Sequence, residues 1–297
     1  MARMTVVGLG SMGMGMAKSL VRAGHTVSGF DVVEGRTEAL VAAGGVAAGL
    51  AEAATESAVA VIVVLNAAQT EAVLFGADGI APKMPKGGVI VSCATISPEF
   101  ARDMAARAEA LGLMYLDAPI SGGAARAASG ELSIMASGSE AAFAAAKPAL
   151  DAMAAVVHDL GREIGGGSAM KAVNQLLAGS QIALMGEALA FALSQGLDLR
   201  QVYSVITHSA GNSWMFQNRA PHVLDADYTP LSAVNIWLKD LGIVKDIASA
   251  AGVPVPLVDT ALEQYRAAAA AGDGGLDDAI VTKVYTRAAG LKLPGEA

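Results

Sequence analysis

Short apolar runs alternate with longer mixed segments through the first half of the chain, and the alternation then stops. Runs of strand length occur at 3–8, 59–65, 89–94 and 114–119. They are continuous rather than alternating, the pattern of strands in a parallel sheet covered on both faces. A fifth strand, TVSGF, ends at Asp31, and ELSIMASG and AVVHDLG read as two more. Helix-length segments lie between them, closed by Gly24 and by Gly44-Gly45. Ser97-Pro98 opens another with a capping hydroxyl and a proline in the first turn. The pattern predicts an α/β domain, with a doubly wound and mostly parallel sheet, over 1–164.

At Gly165-Gly166-Gly167 the texture changes. One apolar segment continues to about Gln195, with Gly196 just past its end, and predicts a single long helix. Asp198 caps a helix to about His208, and further helices are expected over 234–251, 257–271 and 277–289. An all-α domain over 165–297, joined through the long helix, completes a two-domain chain of 297 residues.

Charge and composition then narrow the function. A net charge of -8 argues against coating nucleic-acid phosphates. The single cysteine, Cys93, leaves no internal disulfide and no thiolate metal site. It sits in an apolar run and reads as a small core residue in a cytoplasmic, reducing setting. The mean hydropathy of +0.48 reflects alanine and valine in the α/β pattern. Asn174, Gln175, Gln181 and Glu187 interrupt the long segment, so no membrane span is expected, and the chain enters a strand at once, without a visible signal peptide. The four histidines lack zinc spacing, so no metal is expected.

The remaining candidates gather around one chemistry. GLGSMG at 8–13 lies between a strand and a helix. Gly8 suits the tight turn, Gly10 the approach of a pyrophosphate, and Gly13 close helix–strand packing, with Leu9, Ser11 and Met12 completing the loop. Asp31 suits ribose hydroxyls, or it is a solvated strand end. Leu65 ends its apolar run and Asn66 follows it, while Thr95 falls just past a strand, where a doubly wound sheet faces its ligand; all three join the cofactor set. Ser121, Gly122 and Gly123 form either an anion nest or a plain turn. Lys171, Asn174 and Gln175 share one helix face, either buried with local partners or lining a cavity. Lys239-Asp240 is either a solvated face or part of a cleft. Trp214 and Trp237 read as core.

Taken together, GLGSMGMGMA, the strand end at Thr95, DAPISGG, GGGSAMKAVNQ and LKDLGIVKD resemble the β-hydroxyacid dehydrogenases almost end to end. The resemblance implies a Rossmann domain joined through the long helix to an all-α domain, NAD as cofactor, a small hydroxyacid as substrate, and a homodimer or homotetramer without nucleic acid or membrane. It makes Lys171 the catalytic acid/base and gives the carboxylate of the substrate to Ser121, Gly122 and Gly123. It places Thr95 and Lys239 against the cofactor and Asn174 on the substrate. Many members carry a second asparagine where this chain has Gln175, which leaves open which amide touches substrate. Asn66-Ala67 and the run 213–230 resemble a subgroup that oxidises the C2 hydroxyl of a four-carbon sugar acid such as L-threonate. Alternatives are a 3-hydroxyisobutyrate or tartronate semialdehyde type of enzyme, an imine reductase, or a non-enzymatic paralogue; Lys171 argues against the last two. A free lysine is protonated at neutral pH, so bringing it near 7–8 as a base takes about 4 kcal/mol of destabilisation of the cation.

Overall fold

The computed structural model describes residues 1–296. Strands β1 (Arg3–Val7), β2 (Thr26–Phe30), β3 (Val59–Ile62), β4 (Val89–Ser92) and β5 (Met114–Asp117) form one all-parallel sheet, ordered β2-β1-β3-β4-β5. A second sheet holds β6 (Ile120–Ser121), β7 (Leu132–Ala136) and β8 (Ala154–Asp159). Here β7 runs antiparallel to β6 and parallel to β8. ELSIMASG and AVVHDLG are therefore strands, but not members of the main sheet. The connecting helices are α1 (Ser11–Arg22), α2 (Arg36–Ala42), α3 (Leu50–Glu56), α4 (Ala67–Phe75), α5 (Pro98–Ala110), α6 (Gly123–Ser129) and α7 (Glu140–Met153).

The continuous apolar runs have the cause expected of them. In β3, Val59 and Val61 enter one core with Met16, Leu20 and Leu150, while Ala60 and Ile62 enter another with Leu74, Ile80 and Met104. A period-2 strand with apolar residues on both faces is a strand covered on both faces. Each fully buried valine or isoleucine contributes about 1.5–3 kcal/mol. Two strands are shorter than their runs. β3 stops at Ile62 and β4 at Ser92, so Leu65 lies in a loop and Cys93 sits one residue past its strand. Just past β3 the backbone packs on the glycine loop: a Cβ at Gly8 would lie 2.8 Å from the carbonyl carbon of Val63.

The helical part comprises α8 (Gly166–Ser194), α9 (Leu199–Ile206), α10 (Trp214–Leu224), α11 (Val234–Ala250), α12 (Pro256–Ala268) and α13 (Thr282–Ala289). Contacts group the chain into two units, Met1–Lys171 and Ala172–Ala297, and the division falls inside α8. By length and composition α8 is the one helix among the described residues able to cross a membrane, despite its polar residues. Ile182, Met185 and Leu189 account for that composition, being buried in the core of the helical unit. Trp237 stacks on Tyr265 there, with centroids 5.8 Å apart. Trp214 does not join them: it opens α10 and is 54% exposed.

Candidate active site

The cofactor candidates of the first unit collect at the C-terminal end of the main sheet, whereas Lys239 lies on α11 in the second unit. Gly8–Gly13, Asp31, Leu65-Asn66 and Thr95 follow the C-terminal ends of β1, β2, β3 and β4 respectively. Strand order reverses direction between β1 and β3, which is where such a sheet opens its ligand crevice. Gly8 has φ +94° and its amide donates to the Phe30 carbonyl at 2.8 Å. A Cβ at Gly13 would collide with the Gly8 carbonyl, so α1 packs directly on the loop. Gly10 behaves differently. It is the N-cap of α1, no side chain caps it, and a Cβ there would meet nothing within 4 Å. Open space over uncapped amides at a helix start suits a pyrophosphate.

Within this loop Leu9 is buried, Met12 half-buried and Ser11 exposed. The Leu9 amide donates to Asp31 Oδ2 at 2.6 Å. Asp31 also accepts from the Val33 amide at 2.8 Å and from Arg36 Nη1 at 3.1 and 3.2 Å. It is thus a gripped carboxylate and not a solvated strand end. Burial pushes its pKa up, but the Val33 and Leu9 amides and Arg36 outweigh that and hold it below the usual carboxylate range. Asn66 caps α4 by accepting from the Gln69 amide at 2.9 Å. Leu65 is 53% exposed and Thr95 is half-buried.

A second group forms where β5, β6 and α8 meet. Lys171 is buried, and its Nζ donates to the Ile120 carbonyl at 2.8 Å. That carbonyl directly precedes Ser121. Gly122 and Gly123 follow with φ +134° and +76°, a backbone suited to turning amides toward an anion. The helix reaches this place because glycine allows it. A Cβ at Gly167 would strike the Met135 carbonyl and lie 2.6 Å from the Asp117 carbonyl oxygen. Asp117, fully buried at the end of β5, accepts from the Ser168 amide at 2.8 Å and the Ser168 hydroxyl at 2.7 Å. Burial raises its pKa above the ordinary value, against the pull of those Ser168 bonds.

In the helical unit, Asn174 Nδ2 donates to Gln175 Oε1 at 2.9 Å, and Gln175 Nε2 to Asp240 Oδ2 at 2.5 Å. Lys239 pairs with Asp240 Oδ1 at 2.5 Å. Three of the predicted residues are thus joined by a fourth, Asp240, which the sequence marks only as half of a charged pair. Asp117 and Ser168 lie in DAPISGG and GGGSAMKAVNQ, where the sequence alone assigns them no role. Among the described residues no group of three or more His, Cys, Asp or Glu side chains is placed to hold a metal ion.

A glycine turn, an open helix start and a carboxylate at the next strand end define a dinucleotide-dependent oxidoreductase fold. Comparison with known proteins agrees. Residues 3–161 match the model of the NAD binding domain of 6-phosphogluconate dehydrogenase, and residues 165–285 that of the NAD-binding domain of NADP-dependent 3-hydroxyisobutyrate dehydrogenase. The chain belongs to the β-hydroxyacid dehydrogenase family, which includes 3-hydroxyisobutyrate dehydrogenase, and is an NAD-dependent oxidoreductase. It is 49% identical to the L-threonate dehydrogenase of Cupriavidus necator over 293 residues, covering 98% of each chain. It is 34% identical to the NAD-dependent L-serine dehydrogenase of Pseudomonas aeruginosa, covering 96% of this chain and 98% of that one. A crystal structure described as 3-hydroxyisobutyrate dehydrogenase from Salmonella typhimurium superposes with a TM-score of 0.90 at 49% identity, covering 95% of this chain and 99% of that one.

Proposed function

We propose that this enzyme oxidises the C2 hydroxyl of L-threonate, with Lys171 as general acid/base. Five relatives at 45–49% identity carry the name L-threonate dehydrogenase, which supports the substrate. The observation that carries the chemistry is the 2.8 Å bond from Lys171 Nζ to the Ile120 carbonyl, next to Ser121. It puts the lysine beside the segment we assign to the substrate carboxylate.

NAD, when bound, supplies the hydride acceptor. Gly8, Leu9, Gly10, Ser11, Met12 and Gly13 present the phosphate loop, and Asp31 the ribose acceptor. Leu65, Asn66, Thr95 and Lys239 complete the proposed cofactor contacts. Ser121, Gly122 and Gly123 meet the carboxylate with backbone amides and a hydroxyl, so that its charge is answered there and not by the lysine. Lys171 takes the C2 hydroxyl proton as hydride leaves. Of the two amides, Asn174 is assigned to the substrate. Gln175 has both ends of its amide engaged, with Asn174 and with Asp240. A site with these polar groups rejects a branched apolar acid, which would leave them unpaired.

3-Hydroxyisobutyrate is the second reading, favoured by the description of the 49% identical Salmonella structure. Following NADH formation with L-threonate, D-threonate, other sugar acids and 3-hydroxyisobutyrate separates the two. Highest kcat/KM on L-threonate is expected, and faster turnover of 3-hydroxyisobutyrate than of every sugar acid overturns the proposal. Lys171→Ala should lower kcat by about 10²- to 10⁴-fold with NADH binding unchanged. Near-normal turnover would remove Lys171 from the mechanism. We also infer a homodimer or homotetramer in the cytoplasm. Met170, Leu177, Leu184 and Phe191, seven residues apart on α8 and 43–67% exposed, form a row suited to a second copy. A monomer in sedimentation at micromolar concentration would refute it.

A further inference from the structure

We propose that Asp117 is the positioning residue for Lys171, an inference that rests on the catalytic role proposed for that lysine. Two strand-end groups hold two successive turns of α8. Asp117 holds Ser168, and Ile120, three residues on, holds Lys171, three residues on; both pairs are 51 residues apart in sequence. Asp117 grips one residue with both oxygens: Oδ2 takes the Ser168 amide and Oδ1 its hydroxyl. A single acceptor fixes a point on a helix, whereas two on the same residue also fix its rotation. Ser137 extends the grip. Its hydroxyl accepts from the Gly167 amide at 3.0 Å and donates to Asp117 Oδ2 at 3.3 Å. The first amides of α8, which no helix can satisfy internally, are thus held by side chains.

Capping alone does not account for this arrangement. Serine, threonine or asparagine caps a helix start about as well as aspartate. A fully buried carboxylate carries a desolvation cost that those side chains avoid. What the carboxylate adds is geometric. Slipping α8 by one residue would move Lys171 about 1.5 Å along the axis and about 100° around it. Misplacement of about 1 Å can cost on the order of 10²-fold in rate. The carboxylate touches no reacting atom in this scheme and acts through the lysine.

The test uses the full-length enzyme, with kcat expressed per NADH bound so that unfolded protein does not count. Asp117→Asn is expected to lower kcat by about 10- to 100-fold, and Ser168→Ala by about two- to tenfold. NADH affinity should be unchanged and the pH profile of kcat/KM displaced. In a Lys171→Ala background neither substitution should slow the residual rate further, because a positioning residue has no effect once its target is gone. Additive losses in that background would show a general structural role and overturn the proposal. Wild-type kcat and pH profile in both single variants would overturn it while leaving Lys171 catalytic. Normal turnover by Lys171→Ala alone would instead overturn the reading beneath it. If Asp117→Asn does not fold, Ser168→Ala decides between the same outcomes.

Discussion

Two helix starts in the Rossmann unit share a sequence texture and are used in opposite ways. Both α1 and α8 begin at a glycine-rich stretch against strand ends. At α1 no side chain caps Gly10, and the space beside it is open. At α8 the amides of Gly167 and Ser168 are taken by Ser137 and Asp117, and glycine is required because backbone meets backbone. Glycines before a helix therefore mark close approach, not a ligand. Whether the approaching group is foreign depends on whether the chain fills its own helix start.

The contrast is sharpest by substitution. Gly167→Ala should be the most damaging, because its methyl meets two carbonyls within a packed core. A loss of about 3 kcal/mol is expected in urea unfolding, at the upper end of overpacking costs. Gly10→Ala should leave the melting temperature unchanged or slightly raised, since its backbone suits alanine. It should weaken NADH binding by about tenfold, or about 1.4 kcal/mol. Equal destabilisation by the two would erase the distinction. Asp31→Asn comes next: it frees Arg36 and removes the charge that repels a 2′-phosphate. Binding should shift from NADH toward NADPH in a fluorescence titration, and an unchanged preference would remove Asp31 as the discriminator.

The smallest effect concerns acid and has opposite signs at the two carboxylates. Asp31 titrates below its ordinary value when folded, so its stabilisation is present above that value and fades as pH falls through the folded pKa. Asp117 titrates above it, so the folded state binds the proton more readily and stability declines as pH rises through that raised pKa. Urea midpoints followed from below the ordinary carboxylate value of 3.8 to above it should flatten on the low side in Asp31→Asn and on the high side in Asp117→Asn.

Much of the Rossmann unit was legible because its strands are apolar on both faces, as Val59–Ile62 show by dividing between two cores. Lys171 was legible for the reverse reason, a charge on an apolar helix. Less local features were not. Asp117 looks like any strand-end acid until Ser168, 51 residues later, is folded against it. Asp240 gains its meaning from Gln175, 65 residues away. α10 escaped as a helix because Pro221 lies inside it and its first residue, Trp214, faces outward. Pairings across long sequence separations leave no periodic trace in either unit.

The sealed position of Cys93 has a practical consequence. It is 4% exposed, and burial, reinforced by the nearby Asp117 carboxylate, pushes its thiol up to about 12. Only the thiolate reacts readily with alkylating reagents, so the native fold should be silent toward maleimides. Any cysteine introduced at the surface then becomes a unique chemical handle. Leu257→Cys, 74% exposed in the first turn of α12, would accept a single dye at one known place, without first removing the native thiol.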